Sequence, residues 1–346
     1  RLIDEALRML RAADDTAGIV EALFVRGETQ RFKGYNDEAL AAFHEARDAL
    51  RSSDTNDPHL VGQVLRNIGI THTLGGELDA GIDELEEARR LLENAGDLKG
   101  IGSTCAMLAK AYSQRGEPML ALGALQRAQS AFERAGNTYD LWMTLNNTGM
   151  VYYELGEYEQ ALAVYERGLR LVRGTGSSMG EVYIIAGMAE TYRMMARLDE
   201  SLATYEEVRP MAEGLQLPHL IIELTEGMAL TRLGLGQGEA AAQLARSVKP
   251  AEHDPPGRIA QHAMVQAQIA LERGDGAAAL KLIDGAWKLV EDAQNVHDMA
   301  IASFLRARAL YDSHQPRKAM AEIERAARLC EQLGYKRFLR PYAARA

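Results

Sequence analysis

One pattern recurs about every 40 residues along this chain of 346, and it limits the fold more than any other feature. Its clearest copy, residues 145–168, reads as two short amphipathic helices joined at Gly156. The equivalent turn positions are Gly34, Gly76, Gly116, Gly156, Ala196, Gly236, Gly274 and His314. They are spaced by 42, 40, 40, 40, 40, 38 and 40 residues. Gly suits this place because a helix C-terminus often needs a positive φ. A single helix pair cannot bury its apolar face, so stacked pairs sharing one continuous core are expected.

The rest of the register follows from close helix packing. Seven residues before the turn stands Gly27, Gly69, Ala109, Gly149, Ala189, Ala229, Ala267 or Ala307. Interior Gly costs a helix roughly 1 kcal/mol against Ala, so three glycines at one position point to a close neighbour. Five after the turn comes Ala39, Gly81, Ala121, Ala161, Ser201, Ala241, Ala279 or Ala319. Four further on sits Phe43, Leu85, Leu125, Tyr165, Tyr205, Ala245, Ile283 or Ile323. Steps of three and four hold these residues on one helical face. Pro210 and Pro250 occupy one late position in the second helix of their repeats, and Pro255-Pro256-Gly257 marks the least regular connection. His253 and Asp254, beside it, are expected in solvent.

This register of small residues, turn and packing tyrosine resembles the tetratricopeptide repeat over essentially the whole chain. Repeat four fits best, through Gly149, Tyr152, Gly156, Tyr158, Ala161 and Tyr165. The resemblance implies an all-α, right-handed superhelical solenoid of about eight helix-turn-helix repeats. Residues 1–346 are expected to form one repeat domain: 1–16 a remnant helix of a preceding repeat, 17–334 eight helix pairs, and 335–346 a capping helix. The long, roughly 40-residue unit resembles that of maltose-regulon-type transcription activators, signal-transduction ATPases and peptide-binding Rap-type regulators. Residues 91–97 and 329–335 resemble the first group most.

Composition narrows the partners. A net charge of −10 argues against general affinity for nucleic acid or anionic membranes. No stretch is long and apolar enough to span a bilayer. Cys105 and Cys330 lie far apart and read as small buried apolar residues, which fits a reducing cytoplasm. The chain starts at Arg1, within a helical pattern, and is expected to be cut from a longer protein with flanking domains.

Chemistry is sparse. Residues 174–180 imitate a phosphate loop but lack its Lys and sit between helices, so an inter-repeat turn is the plainer reading. The eight histidines show no metal-ligand spacing, and His72, in a packing Tyr position, reads as a hydrogen-bonded interior residue. No nucleophile elbow or Cys/His pair is present. The expectation is therefore no enzyme, no metal and no cofactor.

Recognition then falls to the concave wall built by the first helices. The wall positions lie two and three residues before the small residue of each first helix, and one and four after it. They give Arg66, Asn67, Thr73, Lys110, Asn146, Asn147, Met150, Tyr153, Glu190 and Arg193 as candidate ligand contacts, with Glu226, Gln268, Arg308 and Tyr311 further on. Asn67 and Asn147 share a register. In related peptide-binding repeats an Asn there contacts the ligand backbone; capping or bridging between helices is the other reading. Met143, Met150, Met188, Met194, Met195 and Met228 form either an adaptable wall or core filling. The expected partner is a protein, a peptide or a small-molecule inducer. The chain reads as the sensor of a larger bacterial signalling protein or, alternatively, as a free-standing peptide-binding scaffold or Rap-type regulator.

Overall fold

The computed structural model describes residues 2–52, 57–251, 253–292 and 296–332, and these contain helices and no strands. A lone helix, α1 (Leu2–Ala12), leads eight pairs. They are α2 (Thr16–Phe32) with α3 (Asn36–Ser52), α4 (Pro58–Gly75) with α5 (Leu78–Ala95), and α6 (Leu98–Arg115) with α7 (Pro118–Ala135). Next come α8 (Thr138–Glu154) with α9 (Tyr158–Thr175), α10 (Ser178–Met194) with α11 (Leu198–Gly214), and α12 (Pro218–Gly234) with α13 (Gly238–Arg246). The last are α14 (Pro256–Glu272) with α15 (Gly276–Asp292), and α16 (Val296–Asp312) with α17 (Pro316–Gln332). The fold is a tetratricopeptide-type helical solenoid. The capping helix expected over 335–346 lies outside the described residues.

All eight expected turn positions have positive φ, from 59° at His314 to 86° at Gly76. Ala196 at 60° and His314 accept a conformation that costs a side chain about 1–2 kcal/mol, so packing on both sides must hold these turns. The first helices start on matched caps. Asp15, Asp57, Asp97 and Ser177 accept from the backbone N–H of Gly18, His59, Gly100 and Gly180. Ser177 thus closes the imitation phosphate loop as a helix cap.

The small-residue positions are buried in every repeat. Several glycines there are required by an aromatic ring. A Cβ added to Gly27 would lie 2.5 Å from the Phe43 ring, and one added to Gly149 would lie 2.5 Å from the Tyr165 ring. Tyr165 is also covered from the next repeat, where a Cβ on Gly187 would lie 2.6 Å from it. Ile323 differs from its equivalents: it is 45% exposed, since no described helix stacks beyond α17.

Two prolines at one register behave differently. Pro210 is accommodated inside α11, whereas α13 stops at Arg246, whose carbonyl the ring of Pro250 would meet four residues on. In the connection that follows, His253 is exposed, but Asp254 is buried and corrects the expectation of a solvated side chain. Its Oδ2 accepts from the Ala251 N–H at 2.8 Å, so the carboxylate holds the irregular turn.

The chain forms two compact units, residues 1–144 and 145–346, with the boundary inside α8. In the first, Leu7, Val20, Leu23, Phe43 and Ile68 build a core that joins α1 to the first two pairs. In the second, the inner helices turn back on themselves. Tyr158 and Met194 pack with Tyr153, Met195, Ile301 and Phe304, which brings α16 against the ends of α8 and α10.

Candidate ligand-binding site

That return lines a half-open cavity of about 640 Å³ within the second unit. Its wall comes from α8, α10, α12, α14 and α16, with Tyr165 of α9 and Tyr205 of α11 reaching in from the outer layer. Five of the ten candidate contacts meet there: Asn146, Met150, Tyr153, Glu190 and Arg193. Glu226 and Gln268 join them. Asn147 is exposed on α8, on a face that does not line the cavity.

The four candidates of the first unit have other surroundings. Thr73 is buried: its hydroxyl donates to the Gly69 carbonyl at 2.8 Å and fills the space that a Cβ on Gly81 would need. Its place on an open wall is therefore corrected; the missing side chain of Gly81 leaves a hole that Thr73 occupies. Asn67 is also buried. Its Oδ1 accepts from Arg31 Nη1 at 3.1 Å and its amide donates to the Gln63 carbonyl, so it bridges α2 and α4. This is the helix-bridging alternative, and it leaves Asn67 2% exposed and closed to a ligand. Arg66 Nη1 donates to Ser103 Oγ at 3.3 Å, between α4 and α6, and Lys110 is exposed on α6. Arg308 pairs with Glu272 at 2.8 Å. Of the methionines, Met188, Met194 and Met228 fill core, while Met150 lines the cavity.

A carboxylate network fixes one side of the cavity. Glu190 accepts from Tyr153 Oη at 2.8 Å, Tyr205 Oη at 2.6 Å and Arg193 Nε at 2.8 Å, and Arg193 Nη2 reaches its other oxygen. Burial pushes the Glu190 carboxyl up, but the Arg193 charge and these hydrogen bonds outweigh it and hold its pKa below the ordinary value. Burial first, and the Glu190 charge second, keep Tyr205 protonated well above its usual range.

The rest of the lining is set mostly by groups that the wall positions did not include. Glu154, at the end of α8, is pushed up to about 7 by burial and then by the charge of Asp298. Asp298 itself is pushed up to about 6 by burial, although Gln261 Nε2 donates to it at 3.2 Å. Burial holds His297 down at about 4, against the pull of Glu190, so its ring is neutral near pH 7. Glu226 pairs with His262 at 2.5 Å, and Glu223 with Arg258 at 2.5 Å.

Part of the remaining lining shares a simple register. Counted from the small residue of each first helix, Tyr183, Glu223, Gln261 and Ile301 stand six before it, and Leu220 and Asp298 nine before it. The wall stripe continues for two more turns towards the helix N-terminus. It slides from the last turn of α8 to the first turn of α16, following the tilt of successive helices. Extending the i, i+3, i+4 pattern in that direction would have found Glu223, Gln261 and Asp298, but not Glu154 or His297.

Glu154 makes stability depend on pH. The folded chain keeps a proton up to about 7 that the unfolded chain releases at the ordinary 4.5. Stability from this group is therefore full below 4.5 and falls as pH rises to 7, by about 3 kcal/mol. Glu154→Gln is expected to be more stable than wild type at pH 8 and equal to it at pH 4.5. Urea denaturation at the two pH values reads the difference; equal curves at both would remove the buried-acid account.

A family model described as "MalT-like TPR region" matches residues 4–339. The chain belongs to the MalT-like TPR family. No curated protein matches it in sequence. Among solved structures, it is similar to a STAND signal-transduction ATPase with a tetratricopeptide repeat sensor from Pyrococcus horikoshii. The identity is 14% and the TM-score 0.62, covering 92% of this chain and 46% of that one. It is also similar to aspartyl phosphate phosphatase F from Bacillus subtilis, at 14% identity and TM-score 0.59, with 96% and 76% covered. A Rap protein complexed with competence and sporulation factor gives 11% identity and TM-score 0.62, with 92% and 98% covered. At these identities the likeness shows the fold. Members of this MalT-like TPR fold are typically recognition scaffolds, and no described helix is long and apolar enough to cross a membrane.

Proposed function

We propose that this chain is a non-catalytic recognition module that binds its ligand in the cavity of the second unit. The observation that carries the reading is a half-open cavity of about 640 Å³ among five inner helices, lined by apolar, amide, tyrosine and charged groups. A concavity of this size, with a few convergent polar groups, is the usual form of a ligand site. The eight helix pairs would act as one ligand- or protein-sensing domain within a larger bacterial, cytoplasmic signalling or transcription-regulating ATPase. The family and the STAND neighbour with a repeat sensor support this reading. Ligand binding would draw α16 and α8 together and bias a flanking domain. No cofactor, nucleic acid or membrane enters the scheme; the ligand is a protein segment, a peptide or a small inducer.

A second reading, a free-standing peptide-binding regulator, is favoured by the Rap neighbour that was solved with a bound factor. There an extended peptide would lie along the exposed face of α8 and meet Asn147.

Selection of a random hexapeptide library tests both. Peptides enriched on the wild type are expected to lose at least about 10-fold in affinity for Ala186→Trp, which fills the cavity from α10. They should lose less for Asn146→Ala and nothing for Asn67→Ala. Peptides that bind Ala186→Trp as well as wild type would remove the cavity as the site. If their affinity then falls with Asn147→Ala, the second reading stands.

A further inference from the structure

Resting on that reading of the cavity, we propose that its occupant carries a protonated amine or guanidinium seated between Glu154 and Asp298. Five carboxylates stand on the wall: Glu154, Glu190, Glu223, Glu226 and Asp298. Glu190, Glu223 and Glu226 are engaged by Arg193, Arg258 and His262. Arg193 is the one arginine or lysine among the described lining residues, and its guanidinium is already forked onto Glu190.

Glu154 is the exception. It is largely enclosed and faces the cavity, yet no hydrogen bond or ion pair reaches it among the described residues. The charge that acts on it is a second carboxylate, Asp298, which is itself 6% exposed. Ionising a second acid beside Asp298 in this enclosure is costly, and the cost is relieved by a proton on Glu154 or by a cation between the two. His297, next to Asp298, is neutral and supplies no such charge. An anionic ligand would add to the negative charge of the pair, and a neutral one would leave that charge in place once Glu154 ionises. The wall around the pair is apolar and aromatic, from Met150, Tyr165, Ile301 and Leu305. That suits the alkyl stem of a lysine-like or arginine-like group behind its charged head.

The same chemistry is presented by a peptide side chain or by a free amine, and the probes separate them. Pools of acetylated pentapeptide amides, random except for a central Lys, Arg, norleucine or Glu, form one arm. Spermidine and butylamine form the other. Each is titrated at pH 8, where Glu154 and Asp298 are ionised, into wild type, Glu154→Gln, Asp298→Asn and Ala186→Trp, with a melting curve for every variant.

The Lys or Arg pool, or a free amine, is expected to bind wild type at least about 10-fold more tightly than the norleucine and Glu pools. Glu154→Gln and Asp298→Asn should each lose about 10-fold or more, and Ala186→Trp should bind nothing. Glu154→Gln melts above wild type at pH 8, so its loss of binding is not a loss of fold. Binding by the peptide pools alone assigns the cation to a side chain; binding by the free amines alone assigns it to a small molecule. Equal binding of the norleucine or Glu pool, abolished by Ala186→Trp, would overturn the cationic occupant and leave the cavity standing as the site. Binding untouched by Ala186→Trp would overturn both, and no binding by any cationic probe would overturn the proposal made here.

Discussion

Tyr165→Ala is expected to destabilise the second unit by about 3–5 kcal/mol, the usual cost of removing a buried aromatic ring. The ring is 2% exposed and sits against two bare backbones, Gly149 of its own repeat and Gly187 of the next. Neither glycine can fill the hole, so the cavity left behind stays empty. The complementary change has the same sign. Gly149→Ala gains about 1 kcal/mol in helix propensity. Its methyl, however, would lie 2.5 Å from a ring that is covered on both faces, and overpacking of this kind costs about 1–3 kcal/mol. A net loss is expected. Tyr35→Ala, at a side chain 55% exposed, should change stability by no more than about 0.5 kcal/mol. Denaturant midpoints of the three variants check the ordering; a harmless Tyr165→Ala would mean that the repeats do not stack through this ring.

The second large effect is expected at Glu190. Four donor contacts, from Tyr153, Tyr205 and two nitrogens of Arg193, converge on its two oxygens. Arg193 is 9% exposed at its side chain, so Glu190→Ala removes the counter-charge from a nearly buried guanidinium. The loss should be about 3 kcal/mol, at the low end for broken buried pairs because Glu190 itself keeps some exposure. Glu190→Gln preserves shape but presents an N–H₂ where a carboxylate oxygen accepted, so a donor faces a donor. It should cost nearly as much as Ala, and denaturation at pH 7 compares the two. A neutral Gln variant would show that charge and hydrogen bonding at this position are dispensable.

How far the sequence foretells this depends on the range of each interaction. The turn at Gly156, the small residues at Gly149 and Ala161 and the ring at Tyr165 all act within one repeat or its neighbour. Their spacing is therefore written locally, and all eight positive-φ turns follow from it. Even there, Thr73 shows the limit. Its register faces the groove, but the glycine opposite it at Gly81 draws it into the packing.

The cavity depends on a longer range. Tyr153 and Glu154 meet the helix of Ile301 and Asp298 through the accumulated tilt of the intervening repeats, and no local pattern records that angle. Glu154 follows two tyrosines at the end of α8 and reads as an ordinary helix-end carboxylate. Only the return of α16 covers it and raises its pKa. Pro210 and Pro250 share a register for the same reason without sharing a structure: the prolines that open α14 add a constraint that the earlier repeat lacks.

The central claim is that recognition takes place on the inner helices of the second unit. Hydrogen–deuterium exchange of the chain, alone and with the tightest-binding probe pool or amine, tests it most directly. Slowed exchange is expected in α8, α10, α12, α14 and α16, with the outer helices and residues 2–137 unchanged. Protection confined to the first unit, or to the outer helices of the second, would contradict it.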